Sequence, residues 1–436
     1  MRSLTDLRLR GWLPLLVAGA VYAGAIGAAV AVKTAGVSRS DEYSAVREQT
    51  TSDFRDYWFT ANHLRDTGQL TTQFGVHNYV PFFAVFMLPW SFLPLPVGAA
   101  LFALLSLALF GVTVVLVQTL LNDGLGPRPR VGTLLALALA LPYVHSCATL
   151  GNVGLLVLFL VVATWFLVER GREWEAGLAL GLAVLIKLLP GVLLVFLLLR
   201  RRFRVAAAAV AVVVVLGLGL PLLTLGPAEA VRQHREFYER AAGQHSAYQT
   251  ITADQPLKAK FSNNALPIVL RRLLSPVNGG ADDEASGLYV NVADVPRRTI
   301  FIVYAILVAV FALASVTATL RSAGRWPPAG LDELRALRAQ FGVWCCLMLL
   351  LAPLVWTHYL PLAYWPLALL ADRAERTRLA TRRVCRASAA TLVIWLVCAV
   401  LLAWPAARAA GAQLASVTAL WAALVWITLR RGAAHA

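Results

Sequence analysis

Charge is scarce in this chain. Only 14% of its 436 residues are Asp, Glu, Lys or Arg, and just 23 of them are acidic. With 59% hydrophobic residues and a mean hydropathy of +0.68, there is too little polar surface to keep a globule of this size dissolved, which excludes a water-soluble fold. Cysteine is scarce as well: the five present, Cys147, Cys345, Cys346, Cys385 and Cys398, lie mostly in apolar runs without paired spacing. That excludes a disulfide framework and a CxxC metal site, and leaves packing as their role. HExxH, Walker, CxxC and G-x-S-x-G signatures are all missing, so zinc-peptidase, nucleotide-hydrolysing and serine-hydrolase chemistry has nothing to stand on. His63, His77, His145, His234 and His245 show no ligand spacing, and neither metal nor cofactor is expected.

What the chain has in quantity is hydrocarbon. Apolar runs of about 20 residues, long enough to cross a bilayer core of roughly 30 Å as helices, recur from Gly11 to the end. The expected fold is an all-α polytopic membrane protein, one integral domain over residues 1–436. The net charge of +16 comes in short basic clusters beside those runs, with no basic domain and no aromatic platform, so it fits the positive-inside bias and excludes nucleic acid as a partner.

Arg2, Arg8 and Arg10 before the first span, Gly11 to Val32, put the N-terminus in the cytoplasm and the segment 33–96 outside. Within it, Tyr79 to Leu95 is broken by Pro81, Pro89 and Pro94 and reads as interfacial or re-entrant helix. Val97 to Leu121 returns to the inside at Arg128 and Arg130. Val131 to Val144 and Val153 to Val168 form the next pair, joined by a polar turn over residues 145–152. Glu175 to Leu199 has the length of one span, yet Arg170 and Arg172 precede it and Arg200, Arg201, Arg202 and Arg204 follow it. A hairpin with Lys187 and Pro190 at its outer tip satisfies both flanks and keeps the lysine out of the midplane; a single span is the alternative. Val205 to Leu225 goes out to a long external loop, 226–298, and Ile300 to Leu320 returns to Arg321, Arg325, Arg335 and Arg338. Phe341 to Trp356, Leu360 to Ala371, Ala387 to Trp404 and Leu414 to Leu429 complete about twelve membrane elements, with both termini inside.

On this topology the polar residues of the apolar chain collect at one face. Asp53, Asn152, Lys187 and His358 fall at the outer boundary, with Glu236, Tyr238, Arg240, Lys258, Lys260, Asn263 and Asn264 in the long loop. A carboxylate beside a lysine and a histidine there can deprotonate a hydroxyl while the cations hold a phosphate. Each also has a purely structural account: Asp53 as a loop acid or helix cap, Lys187 as a snorkelling side chain, His358 as part of a tight turn, Trp356 as an interface anchor.

Several short motifs, in order, resemble glycosyltransferase family 87, polyprenyl-phosphate-sugar-dependent enzymes of the GT-C fold. They are Asp53-Phe54-Arg55-Asp56-Tyr57; Tyr79-Val80-Pro81-Phe82-Phe83-Ala84 with Leu88-Pro89 and Leu93-Pro94; Gly151-Asn152; and Gly177, Gly181 and Lys187-Leu188-Leu189-Pro190. Asn263-Asn264-Ala265-Leu266 with Arg271 or Arg272, and Pro353 to His358, follow. Val80, Asn152, Asn264-Ala265 and Tyr359 depart from the family pattern, which leaves donor sugar and acceptor open. The resemblance implies an inverting plasma-membrane hexosyltransferase of the cell envelope, mannosyltransferase-like, working on the extracytoplasmic side without a cofactor. Its partners would be a polyprenyl-phosphate donor and a lipid-linked or glycan acceptor. Asp53 would be the general base; Lys187, His358, Arg271 and Arg272 would hold the donor phosphate; Asp56, Tyr57, Tyr79, Asn152, Asn263, Asn264 and Trp356 would line the substrates. A transporter or flippase of lipid-linked sugars is the competing class, but it calls for midplane charges or repeated halves, and the sequence shows neither.

Overall fold

The computed structural model describes residues 13–37, 52–70, 79–123, 130–244, 246–254, 256, 259–280, 287–321, 328–376 and 382–433. Arg2, Arg8, Arg10, Gly11, His77, Arg128, His245, Lys258 and Arg325, all weighed above, lie outside them. Among the described residues the ordered structure is helical, and the sole β pairing is an isolated bridge between Asn263 and Trp356. Among the described residues, seven helices are long and apolar enough to span a bilayer: Leu16–Lys33, Leu95–Leu121, Val131–Leu150, Phe203–Leu225, Arg297–Arg321, Arg386–Ala403 and Ala412–Arg430. Three shorter apolar pieces, Pro81–Phe92, Gly154–Glu169 and Leu189–Leu199, accompany them. Their exposed side chains are hydrocarbon: Ile302, Ile306, Val310 and Leu313 run down one side of Arg297–Arg321, the arrangement lipid requires and water forbids.

The chain divides into two compact units. The first comprises Met1–Pro129, Val144–Leu188 and Phe203–Ala241. In it Leu13–Lys33 packs on Leu95–Leu121, and Glu173–Ile186 packs on Phe203–Val214. The second of these contacts is close because of two glycines a helical turn apart. A Cβ at Gly177 would lie 2.8 Å from the Val205 carbonyl oxygen, and one at Gly181 would lie 2.8 Å from that of Ala209. Small residues at such a spacing let backbones touch, which is how helices associate where no hydrophobic force separates lipid from protein. Gly181→Val is therefore expected to destabilise the first unit by about 3 kcal/mol. A thermal melt of the detergent-solubilised protein measures this, and an unchanged midpoint would refute the contact.

The second unit comprises Arg130–Tyr143, Leu189–Arg202 and Ala242–Ala436. Its centre is the helix Leu331–Leu350, buried on every side from Ala336 to Leu350. Several polar groups inside it hydrogen-bond one another, the pairing a lipid-embedded core favours. Arg200 Nε donates to Gln340 Oε1 at 2.7 Å, Trp344 Nε1 to Thr319 Oγ1 at 2.8 Å and Trp421 Nε1 to Ser315 Oγ at 2.9 Å.

Several boundaries differ from those expected. The polar turn 145–152 is mostly helix, since Val131–Leu150 runs to its end; Thr149 Oγ1 bonds back to the His145 carbonyl at 2.8 Å and His145 pairs with the Tyr22 hydroxyl at 2.9 Å. Polar side chains that bond their own helix do not break it. The helix expected from Phe341 starts at Leu331 and stops at Leu350, and residues 357–363 form a 3-10 turn instead of opening a span. The described residues of the loop 226–298 include the α-helices Pro227–Tyr238, Ala247–Thr252 and Leu266–Leu274, the first continued by a π-helical turn, Glu239–Gln244. The helical break near Lys187 is present: Glu173–Ile186 ends there, and Val192–Leu199 begins after a 3-10 turn.

Candidate active site

Asp53 is the first residue of the helix Asp53–Thr67, where the exposed amide ends of a helix favour a carboxylate. It is not the cap. Ser52, the extended residue before it, makes no capping bond and instead donates from its hydroxyl to the Leu150 carbonyl at 3.1 Å. That bond draws the helix start to the turn Gly151-Asn152. Phe54 anchors the same start, wholly buried against Trp90 and Phe102 with ring centroids 5.8 and 5.1 Å away.

The buried amide of Asn152 is the hub of the first unit. Its Nδ2 donates to Asp53 Oδ2 at 2.7 Å, with the Tyr57 hydroxyl at 3.4 Å. Its Oδ1 accepts from the Gly154 backbone at 2.8 Å and faces Lys187 Nζ at 3.5 Å. The Gly154 bond fixes which end of the amide is oxygen, and hence that the carboxylate meets a donor and the ammonium an acceptor. Asn152 itself is held by its backbone N–H on the Cys147 carbonyl at 3.0 Å. Lys187 is only 7% exposed and extended, so its side chain leaves the helix axis where Glu173–Ile186 stops. An ammonium so enclosed needs an anion at hand, and Asp53 acts on it electrostatically.

An aromatic wall adjoins this hub. The Tyr57 and Tyr79 hydroxyls are 2.6 Å apart, and Tyr79 stacks on Phe83 with centroids at 4.3 Å. Tyr79 also lines a cleft with Thr60, Gln233, Glu236 and Arg240. Asp56 points elsewhere, into an ion pair with the buried Arg55 at 2.6 Å.

In the second unit the structure joins two segments far apart in sequence. The Asn264 N–H donates to the Val355 carbonyl at 2.6 Å, while Asn263 Oδ1 accepts from the backbone of Ala265 at 3.1 Å and of Val355 at 3.2 Å. Asn264 Nδ2 bonds the Ser262 carbonyl at 2.8 Å. Arg272 donates to the carbonyls of Ala259, Lys260 and Asn263 at 3.2, 2.8 and 2.8 Å, bracing the same strand of chain. Burial, and after it the charge of Arg408, pulls the Arg272 pKa down to about 10, so it stays cationic at neutral pH. Arg271 is also buried and reaches the Ala253 carbonyl at 3.5 Å. His358 is buried and packs edge-on against Tyr359 at 5.0 Å. Asn263→Ala would strand two buried N–H groups; we expect a loss of about 2–3 kcal/mol, read as a lower melting temperature. A melt equal to wild type would mean the brace carries no weight.

Of the residues picked from the sequence, Asp53, Asn152, Lys187, Tyr57 and Tyr79 come together in the first unit; Asn263, Asn264, Arg271, Arg272, Trp356 and His358 belong to the second. Arg408 was not anticipated. Its Nη2 donates to Thr357 Oγ1 at 3.0 Å. In sequence it is a lone arginine between two apolar runs, and only the preceding Trp404-Pro405 hints at an ordered turn.

Long helices with hydrocarbon on the outside and a carboxylate and lysine sharing one buried amide define a polytopic membrane protein with a built polar site. The chain belongs to glycosyltransferase family 87, whose profile matches residues 77–353, and that is a family of GT-C membrane glycosyltransferases. It is similar to the polyprenol-phosphate-mannose-dependent alpha-(1-2)-phosphatidylinositol mannoside mannosyltransferase of Mycolicibacterium smegmatis, 31% identical over 138 residues, 28% of this chain and 30% of the relative. The protein of the same name from Mycobacterium tuberculosis is 32% identical over 136 residues, 28% of this chain and 31% of the relative. The alignments thus span less than a third of either relative. No solved structure matches the chain.

Proposed function

We propose that this protein is a membrane glycosyltransferase that moves a hexose from a polyprenyl-phosphate donor to a hydroxyl of a lipid-linked or glycan acceptor on the extracytoplasmic side, with inversion. Mannose is the sugar named by the similar proteins and the first to test. Asp53 takes the proton of the acceptor hydroxyl. The freed oxygen bonds to the anomeric carbon from the face opposite the phosphate, the carbon–oxygen bond to the phosphate breaks, and its electron pair leaves on the lipid phosphate. This needs one oriented carboxylate and no nucleotide-binding fold.

The observation that carries the proposal is the hydrogen bond from Asn152 to Asp53 at 2.7 Å, with Lys187 on the other end of the same amide. Asn152 orients the carboxylate by donating to it, and Lys187 sits at the other end of the same amide, enclosed from water, where a charge acts most strongly. Tyr57 and Tyr79 offer a face for a sugar ring beside them. His358, Arg271 and Arg272 are assigned to the donor phosphate.

The test is to incubate purified protein with labelled polyprenyl-phosphate hexoses and an envelope lipid extract, and to read by mass which lipid or glycan gains a hexose. One hexose added to one acceptor class is expected, with the opposite anomeric configuration to the donor. Donor crossing a vesicle membrane without any new glycosidic bond would refute the transferase and favour a flippase.

A further inference from the structure

The cleft beside the aromatic wall of the first unit is lined by polar groups that, among the described residues, have no hydrogen-bond partner. Thr60, in the helix Asp53–Thr67, and Glu236, in the helix Pro227–Tyr238, both line it. Thr60 is only 3% exposed and its hydroxyl is unpartnered. Helical threonines elsewhere in the chain, Thr149, Thr164 and Thr319, bond the carbonyl four residues back at 2.8 Å; Thr60 forgoes that bond. Glu236 Oε1 accepts from Arg232 at 3.3 Å, while its Oε2, shut off from solvent, accepts from nothing. Gln233 lines the same cleft, but its amide nitrogen is already engaged by the Leu70 carbonyl at 3.2 Å and by Glu229 Oε1 at 2.8 Å.

The cavity measures about 30 Å³, room for roughly one or two hydroxyl groups and too little for a sugar ring or a phosphate. The group that suits it must donate to a carboxylate oxygen and accept from a threonine hydroxyl; an alcohol does both, and a carbonyl, an ether or an anion cannot donate. Tyr79 forms part of the same wall, an aromatic face on which the ring carrying that alcohol can rest. Position says which substrate this is. Asp53, Tyr57 and Thr60 stand at i, i+4 and i+7, on one face of their helix, and the Tyr57 and Tyr79 hydroxyls, 2.6 Å apart, join the Asn152 hub to the cleft. About 10 Å of helix separates Thr60 from Asp53, so a hydroxyl held in the cleft is not the one that reacts. The substrate that meets the base is the acceptor, whereas a carboxylate repels the phosphate of the donor.

We propose that Thr60 and Glu236 form a pocket for one non-reacting hydroxyl of the acceptor sugar and so select which acceptor is glycosylated. This rests on the transferase reading above and adds to it a determinant of acceptor choice. Glu236 Oε2 accepts the hydrogen of that hydroxyl, Thr60 donates to its oxygen, and Tyr79 covers the ring. No covalent bond changes there; the pocket orients the acceptor for Asp53. An acceptor lacking the hydroxyl leaves both buried groups unpaired, and sites built this way discriminate more sharply than apolar ones.

The experiment measures, by calorimetry on the full-length protein in detergent, binding of octyl mannoside and its monodeoxy analogues to wild type, Thr60→Val and Glu236→Gln. Wild type should bind one monodeoxy analogue about tenfold more weakly than the parent. Glu236→Gln should weaken the parent about tenfold and leave that analogue unchanged, so that the preference disappears; Thr60→Val should weaken the parent about fivefold in the same pattern. Valine has the shape of threonine and the hydroxyl has no protein partner to lose, so Thr60→Val should melt no lower than wild type. If Glu236→Gln does not fold, Thr60→Val decides. Unaltered affinity in the variants, an equal loss for every analogue, or a wild type without preference overturns the pocket; the last is what a cleft holding only water would give. In transfer assays the variants should raise the KM of the acceptor and leave that of the donor; the reverse would assign the pocket to the donor sugar and overturn its role in acceptor choice. The preference should survive in Asp53→Asn, so failure of the base and failure of the pocket are separable.

Discussion

Replacing Asp53 with asparagine is expected to lower the turnover of sugar transfer by about 10³-fold while the protein still folds, since a positioned general base contributes typically 10²–10⁴. The change is nearly isosteric. An amide carbonyl at that position still accepts the 2.7 Å bond from Asn152, so the helix start, anchored by Phe54 and Ser52, has no reason to move. What disappears is the capacity to take a proton, together with the anion next to Lys187. The second loss leaves an enclosed ammonium with less compensation, and a modest fall in melting temperature should accompany the drop in rate. Single-turnover transfer from a labelled polyprenyl-phosphate sugar measures the chemistry apart from product release. A rate within tenfold of wild type would dismiss Asp53 as the base, whatever the melt shows.

The legible part of this site in the sequence was the part that is polar in an apolar surround. Asp53 could be picked because it is a carboxylate in the first polar segment after a span, and Asn152 and Lys187 because each sits at the end of a hydrocarbon run, where a polar group is tolerated in a membrane. The break at Lys187 was legible for a related reason, a proline three residues on with arginines flanking both sides. Bonds between remote segments were not. Nothing in the run Asn263-Asn264 shows that Val355 will donate to one amide and accept from the next, because no periodicity encodes contacts across such a separation. The helix past Val144 was hidden by His145, Ser146 and Thr149, which look like a loop by composition; Thr149 bonds back onto the helix and His145 bonds the Tyr22 hydroxyl. Arg338 misled in the same direction: read as an inner-loop residue, it is buried in the central helix of the second unit, two residues before Gln340, which is bonded to Arg200.

Gly151→Ala should damage both fold and chemistry, because one small residue sets the distance between the two segments that make the hub. Its φ is +65°, a left-handed conformation that costs a side-chain-bearing residue about 1–2 kcal/mol. In addition, the new Cβ would stand 2.6 Å from the Phe54 Cβ, an atom tied to the backbone and unable to swing aside. Phe54 in turn is packed against Trp90 and Phe102. Relief must come from backbone movement between residues 53–54 and 151–152, the four that carry the Asp53–Asn152 bond. Stability should fall by about 3 kcal/mol, combining strain with overpacking. Turnover per folded molecule should fall about 10²-fold, the scale of a 1 Å misplacement of a catalytic group. Gly68→Ala separates strain from contact: its φ is +68°, in the same left-handed region, but nothing lies within 4 Å of the added Cβ. That control should lose about 1 kcal/mol and keep its turnover. If the two variants melt and turn over alike, the close approach at Gly151 does not position Asp53, and the hub described here does not set the geometry of the base.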